Sequence, residues 1–320
     1  MDDATAEREV VQLVVAVIVT YQPKPEKLAR LLRLVSTQVH RVCVVDNGTP
    51  EIESIVGEHA SAGFHLVRNT ENVGLARAQN QGIAYALSAG ARFILLLDQD
   101  SEPAPNMVDC LLRSLIASDR FKTEIAAAAP VFSDPAAGIT SRFSQIRCLG
   151  VRRIACTEDS GIVPAEIVIA SGMLISASAI HRIGMMEDAL FIDQVDTEWC
   201  LRARSLGFSL IGVCGARMTH RLGDSPGPRF LGRQFFVRSP ARHYYFARNT
   251  ILLLGRPYPP LGWKLWQGLH LLLFLATVAA VCKPRRHHIK AVWLGIVDGV
   301  RGRAGPLSAP SAWTKLPGTE

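Results

Sequence analysis

The stretch Phe93–Asp100, Phe-Ile-Leu-Leu-Leu-Asp-Gln-Asp, most tightly constrains how this chain can fold. Five consecutive apolar residues are too few for a useful helix and show no alternation. That is the pattern of a strand buried on both faces. The run ends in two carboxylates separated by one residue, and Ser101 and Pro103 stop it. In open α/β sheets ligands sit beyond the carboxyl ends of the strands, so Asp98 and Asp100 are expected to project there. Hard oxygen ligands at this spacing suit Mg2+ or Mn2+, and such a cation suits a diphosphate. The same pair also reads as an acidic turn after a core strand, so the rest of the chain must decide.

Upstream, apolar strands alternate with amphipathic helices. Val10–Thr20 reads as a strand and is followed by a helix opened by Pro25 and Glu26, with Leu28, Leu31, Leu32 and Val35 on one face. Val42–Val45 is a second strand, a helix runs through Ile52 and Ile55, and Phe64–Val67 is a third strand. Leu75–Ser88 is the next helix, closed by Gly90. This alternation predicts a doubly wound, mostly parallel sheet. The glycines form no Gly-x-Gly-x-x-Gly turn, which removes a dinucleotide fingerprint. Instead, polar strand ends converge: Thr20 and Tyr21, Asp46 and Asn47, Asn72 and Gly74, Asp98 and Asp100. Together they outline a nucleotide pocket, with Gly74 allowing close backbone approach and Arg77 in reach of phosphate.

Composition narrows the class. Among 320 residues, 48% are apolar and 20% charged, which excludes a disordered chain and a polytopic membrane protein. The net charge of +7 is concentrated after about residue 200, favouring anionic lipid or phosphate as a partner. No zinc-finger, helix-turn-helix or RNA-binding aromatic pattern points to nucleic acid. Seven scattered cysteines, without Cys-x-x-Cys, read as buried thiols of a reducing compartment. The acidic N-terminus does not fit a signal peptide, so a cytoplasmic location is expected.

Farther on, Ile125–Phe132 is another strand, 133–165 is irregular with short strands, and Ile167–Ile175 is a strand interrupted by Ser171-Gly172. Asp193, Asp196 and Glu198 stand at the entrance of a helix carrying Trp199, Leu201 and Arg202. They suit N-terminal capping, or one of them suits the role of general base. His220 ends an apolar strand, and 222–238, with Arg229, Arg233 and Arg238 just after Arg221, suits a flap over the site. In the helix Pro240–Leu254, Arg248 can pair with a diphosphate or brace the core. Leu261–Val281 is nearly long enough to span a membrane. Its polar Lys264, Gln267 and His270 and the basic run Lys283–His288 fit a helix lying on an anionic surface. The amphipathic stretch Ile289–Val300 follows. The alternative cover for these helices is the catalytic domain or a second subunit, as in a homodimer.

The chain resembles the inverting glycosyltransferases of family two, which have the GT-A fold. The resemblance rests on Val-Ile-Val-Thr-Tyr (17–21), Val-Val-Asp-Asn-Gly (44–48), Asn-Val-Gly-Leu-Ala-Arg-Ala-Gln-Asn (72–80) and Leu-Asp-Gln-Asp-Ser (97–101). Ala-Ser-Gly-Met-Leu-Ile-Ser (170–176), the segment 191–203, His220 and Tyr-Tyr-Phe-Ala-Arg-Asn (244–249) extend it to roughly residues 12–300. The Asp-Gln-Asp form and Val-Asp-Thr-Glu-Trp-Cys-Leu-Arg are most like enzymes that use dTDP-L-rhamnose. The resemblance implies a catalytic domain over 10–254, with a nucleotide half at about 10–132 and an acceptor half at about 133–254. Around it lie an N-terminal tail (1–9), membrane-associating helices (255–304) and a disordered tail (305–320).

By the same resemblance, Asp196 is the catalytic base. This chain has Val195 where the family often has an acid, which leaves Asp193 as the reserve. Asp98, Asp100 and His220 hold Mg2+ or Mn2+. Thr20, Tyr21, Asp46, Asn72, Gly74, Arg77, Asp98 and Arg248 bind the nucleotide-sugar, and Ser171, Gly172 and Trp199 face the acceptor. The implied acceptor is a glycan, free or on a polyprenyl diphosphate, met at the inner face of the cell membrane. Two other classes fit parts of the pattern: an Asp-x-Asp phosphatase-like hydrolase, and a non-catalytic membrane-associated sugar-binding scaffold. A phosphatase usually carries its motif on the first strand, with Thr soon after, not on the fourth.

Overall fold

A computed structural model describes residues 14–57, 63–117, 123–157, 161–220, 225–230 and 233–307, with the backbone alone for 225–230 and 233–237. The expected tail 1–9, the start of the first strand, Arg221, and residues 308–320 of the expected C-terminal tail lie outside these.

The first half alternates as its apolar pattern dictates: β1 (Val14–Thr20), α1 (Pro25–Ser36), β2 (Arg41–Asp46), α2 (Ile52–Gly57), β3 (Phe64–Arg68), α3 (Leu75–Ser88) and β4 (Phe93–Asp98). Next come β5 (Glu102–Pro103), α4 (Met107–Ile116), β6 (Ile125–Asp134), β7 (Ile139–Thr140), the hairpin β8 (Phe143–Arg147) and β9 (Gly150–Ile154), and β10 (Ile162–Ala165). The second half continues with β11 (Leu174–Ser176), α5 (Ala177–Ile183), α6 (Val195–Ser205), β12 (Ser209–Thr219), the hairpin β13 (Ser225–Phe230) and β14 (Arg233–Val237), α7 (Pro240–Leu254), α8 (Leu261–Val281) and α9 (Arg285–Val300). The segment 222–238, expected as a flap, thus contains a short antiparallel hairpin.

The central sheet runs β10-β12-β6-β11-β4-β1-β2-β3. The pairs β4-β1-β2-β3 and β12-β6 are parallel, whereas β11 lies antiparallel between β4 and β6. Alternate residues of β4 enter opposite cores, Ile94 and Leu96 on one face and Phe93, Leu95 and Leu97 on the other. Burial on both faces explains the unbroken apolar run. It also fixes the register that sends Asp98 past the sheet edge.

Three expectations need correction here. The strand expected over 167–175 is reduced to Leu174–Ser176, because Gly172 has φ +85° and a side chain there would strike Pro130 and Met218. The cysteines are not all buried thiols: Cys156 and Cys214 form a disulfide, and Cys148 is exposed. Gly305–Leu307 are held rather than disordered, with the Gly305 carbonyl accepting from Arg248 and the Leu307 amide donating to the Tyr245 hydroxyl (2.9 Å).

The C-terminal helices pack onto the rest of the chain. Gly295 and Gly299 of α9 meet the backbone of α7 so closely that any side chain would collide with it. Helix α8 buries Trp263, Gln267, Leu271 and Val278 and exposes Leu261, Leu265, Leu269, Leu272 and Leu273. Its polarity is therefore the reverse of a soluble surface helix.

Candidate active site

The site forms where β1, β2 and β4 end side by side. Thr20 opposes Asp46 in register, and Val19 opposes Asp98. Gln99 turns back over β1, accepting from the Tyr21 amide (2.7 Å) and donating to the Tyr21 carbonyl (3.2 Å). That clasp holds the middle residue of Asp-Gln-Asp to the neighbouring strand and leaves the flanking carboxylates to face the crevice. The turn is braced from below by Ser171, whose hydroxyl meets the Ser101 hydroxyl (2.6 Å) and accepts from the Asp98 amide (3.4 Å).

His220, at the end of β12, closes this group. Its Nε2 lies 3.6 Å from Asp98 and its Nδ1 lies 3.5 Å from Asp100. The Nδ1 atom is buried without a hydrogen-bond partner. Two carboxylates and an imidazole nitrogen still lacking a partner are a donor set that fits Mg2+ or Mn2+. Burial raises the pKa of Asp98, His220 offsets this, Asp100 adds to it, and Arg242 lowers it again. Positive charge supplied between the two acids would relieve that repulsion.

Asp196 opens α6 with its carboxylate in the same crevice. Oδ2 accepts from the Ala170 amide (3.3 Å), and Oδ1 accepts from the Thr197 amide (2.7 Å) and hydroxyl (3.4 Å). Burial nonetheless raises its pKa, against those amides and with help from the charges of Asp98 and Asp193. Repulsion between Asp98 and Asp196 ties the base candidate to the cation candidate electrostatically. A raised pKa also makes the carboxylate a stronger general base near neutral pH.

Asp193, the reserve candidate, is committed elsewhere. Arg242 grips it with two bonds (2.7 and 2.8 Å) and Arg238 adds a third (3.1 Å). Burial raises its pKa, but the two guanidinium groups outweigh burial and hold it below the ordinary carboxylate range. Glu198 is fully buried and accepts from Arg202 (2.7 and 2.8 Å) and Tyr258 (2.7 Å).

Several other expected contacts are structural. Arg248 is buried and donates to the carbonyls of Ala189 (3.3 Å), Leu190 (3.0 Å) and Gly305, so it cannot reach a diphosphate. Trp199 is wholly buried, its indole donating to the Gly184 carbonyl (2.9 Å), so it does not face an acceptor. Ser171 and Gly172 are buried beneath the Asp98 turn. Asp46 has both oxygens taken, Oδ1 by the hydroxyls of Thr20 and Thr49 and Oδ2 by the amides of Gly48 and Thr49. It shapes the pocket wall with Thr20, and both residues are fully buried. Asn72 caps the Gly74 amide (2.9 Å), while Tyr21 and Arg77 stay exposed at the rim.

What replaces Arg248 is a clamp on the loop before Asp196. Phe191, Asp193 and Gln194 all have φ near +65°, a conformation that persists only when its surroundings enforce it. Asn249 Nδ2 lies within 2.9 Å of the carbonyls of Leu190, Ile192 and Asp193. Phe191 stacks on Tyr245 (4.9 Å), its carbonyl takes the Ala76 amide (3.2 Å), and its ring lies where a side chain at Gly74 would go. Gly74 therefore permits contact with the loop. Arg238 and Arg242 were missed in the sequence, yet a signal was present. Both flank the Ser239–Pro240 start of a helix, where the helix dipole disfavours cations unless anions are nearby.

Solved structures define the class of this architecture. The GalNAc-T7 complex with UDP, GalNAc and Mn2+ matches with a TM-score of 0.54 at 14% identity, covering 83% of this chain and 57% of that one. The Staphylococcus aureus TarS 1–349 complex with UDP-GlcNAc matches at 0.53 and 12% identity, covering 91% and 92%. These likenesses establish the fold. The model of glycosyl transferase family 2 matches residues 15–126. The dTDP-rhamnosyl transferase RfbF of Shigella flexneri is 33% identical over 299 residues, 91% of this chain and 96% of that protein. The galactofuranosyltransferase GlfT1 of Mycolicibacterium smegmatis is 26% identical over 263 residues, 77% and 84%. The chain belongs to glycosyltransferase family 2. It is a glycosyltransferase, which sets aside the phosphatase and scaffold readings.

Proposed function

We propose that this enzyme transfers L-rhamnose from dTDP-β-L-rhamnose, with inversion, to a glycan or lipid-linked glycan during cell-envelope polysaccharide synthesis. The observation that carries the mechanism is the electrostatic coupling of Asp196 to Asp98 in one crevice. Asp196 takes the proton of the acceptor hydroxyl as that oxygen bonds to the anomeric carbon. The bond from that carbon to the diphosphate breaks, and its electron pair leaves with dTDP. One displacement needs one base and inverts the centre, unlike a two-carboxylate glycosidase. Asp98, Asp100 and His220 would hold Mg2+ or Mn2+, whose charge stabilises the departing diphosphate. Arg242, near enough to lower the pKa of Asp98, adds fixed positive charge on the same side. The donor identity is supported by the RfbF relative and by the Asp-Gln-Asp and Val195–Arg202 segments.

The proposed location is cytoplasmic, peripheral on the inner face of the membrane. Helix α8 is long and apolar enough to span a bilayer, but one face is packed on the protein and the other presents leucines. Exposed Trp293 and the adjacent Lys283, Arg285 and Arg286 favour an anionic lipid surface over a second subunit. A thermal-shift panel of dTDP-rhamnose, UDP-sugars and GDP-sugars, each with Mn2+, Mg2+ or chelator, tests the donor. Cation-dependent stabilisation by dTDP-rhamnose above the others is expected. Preference for a UDP- or GDP-sugar would overturn the donor assignment.

A further inference from the structure

Beside the Asp196 crevice lies a cavity of about 460 Å3. At one end its wall is Ile169, Gln194 and Thr197, the residues that flank Ala170 and Asp196. At the other end are Trp263 and Trp266 of α8. The cavity therefore runs from the base to the inner side of the helix whose outer side exposes five leucines, Leu261, Leu265, Leu269, Leu272 and Leu273.

The lining is mainly apolar and aromatic, and its charged members, Arg142 and Arg153, are both cationic. No Asp or Glu lines it among the described residues. Arg153, on β9, sets its guanidinium 6.0 Å from the centre of the Trp266 ring. The wall is built closely: Gly262 at the start of α8 lies against the Arg147 carbonyl of the β8-β9 hairpin, with no room for a side chain. A pocket this size can hold a sugar and the near end of a chain, though not a long isoprenoid. Cationic and aromatic walls opening toward an exposed leucine face match one ligand chemistry, an anionic phosphate attached to a hydrocarbon.

We infer that this cavity is the acceptor site and that its natural occupant is a lipid-linked glycosyl phosphate, reached from the membrane side under α8. The inference rests on the proposed function for the role of Asp196, but its ligand chemistry can be tested separately. The phosphate is held at Arg142 and Arg153. The glycan extends past Gln194 and Thr197 to the base, and the hydrocarbon leaves toward the leucines.

The test is calorimetry on the full chain with farnesyl phosphate as probe, below its micellar concentration, alongside farnesol and inorganic phosphate. Saturable binding of farnesyl phosphate is expected, with at least tenfold weaker farnesol and no binding of phosphate alone. Arg153→Glu and Trp266→Ala should each weaken the probe at least tenfold while leaving thermal stabilisation by dTDP unchanged, which also shows that the variants fold. Leu269→Ser, on the outer face of α8, should leave monomeric probe binding unchanged. Equal binding to Arg153→Glu and wild type overturns the inference, as does displacement of the probe by dTDP. So does loss of binding in Leu269→Ser with none in Trp266→Ala. Failure of dTDP-rhamnose to bind would count against the donor reading alone.

Discussion

Asp193 and Asp196 lie three residues apart, on either side of the start of one helix, and meet opposite surroundings. Asp193 ends a strained loop, is nearly buried, and is gripped by two arginines that hold its pKa down. Asp196 begins the helix, receives only weak or local donors, and has its pKa raised by burial and neighbouring acids. Sequence places both at a helix entrance, where either could serve. The difference teaches that a general base is defined by what fails to neutralise it. The anchored acid holds the loop, and the poorly compensated acid is available to take a proton.

The sharpest way to break this comparison is to neutralise each acid in turn. Asp196→Asn should lower kcat by about 10^2- to 10^4-fold, with dTDP-rhamnose affinity retained and Tm unchanged or raised. Asp193→Asn should do the reverse: Tm falls because Arg238 and Arg242 lose a shared partner, and activity falls less. If folded Asp193→Asn loses more activity than Asp196→Asn, the roles are exchanged.

A second perturbation acts on the donor side of the crevice. Asp100→Asn or His220→Ala should weaken the apparent affinity for Mn2+ by about 10- to 100-fold or more, the loss seen when even a supporting partner of a metal ligand is removed. Excess Mn2+ should restore part of the rate. Asp196→Asn should leave cation affinity close to wild type. Titrating activity with Mn2+ in chelator-treated protein separates the two groups, and an unaltered Mn2+ requirement in Asp100→Asn would remove that residue from the cation site.

A smaller effect is expected where the loop is held. Asn249→Ala leaves carbonyls of the 190–193 segment without their donor, at a cost of about 1–3 kcal/mol. Tm should fall by a few degrees and kcat should fall with it, because the loop positions Asp196. Asn249→Asp should be worse, since a carboxylate would face the same carbonyls. A fall in Tm with kcat intact would show that the clamp supports the fold and not the base.

Much of the nucleotide half was legible because its signals are local. An unbroken apolar run means a strand buried on both faces, and polar residues at consecutive strand ends must meet at one sheet edge. The errors have a common cause, that an element's boundary says nothing about how many partners a polar group finds. Asp46 sits where a ligand contact was expected, but Thr20, Gly48 and Thr49 satisfy it completely. Arg248 looked like a phosphate ligand and instead serves carbonyls 57 to 59 residues away in sequence. The Cys156–Cys214 pair spans 58 residues and has no sequence pattern to announce it. The acceptor-side cavity draws its walls from β6, β8, β9, α7 and α8, so no single motif could reveal it.

The finest perturbation concerns pH. Because the pKa of Asp196 is raised, the rate should fall on acidification through a point above the ordinary carboxylate range. Asp193 works in the opposite sense: its folded pKa is depressed, so its stabilising contribution is complete above the unfolded value and is lost as pH falls toward the folded one. Activity should therefore disappear before the fold does, and reversibly. Thr197→Val removes the 3.4 Å hydroxyl bond to Asp196 and keeps the amide bond. It should move the acid limb of kcat/KM slightly upward in pH, since a bond to the charged carboxylate is lost. The pH of acid unfolding should stay where it is. An acid limb that moved downward, or moved together with the unfolding transition, would mean that the titrating group is not Asp196.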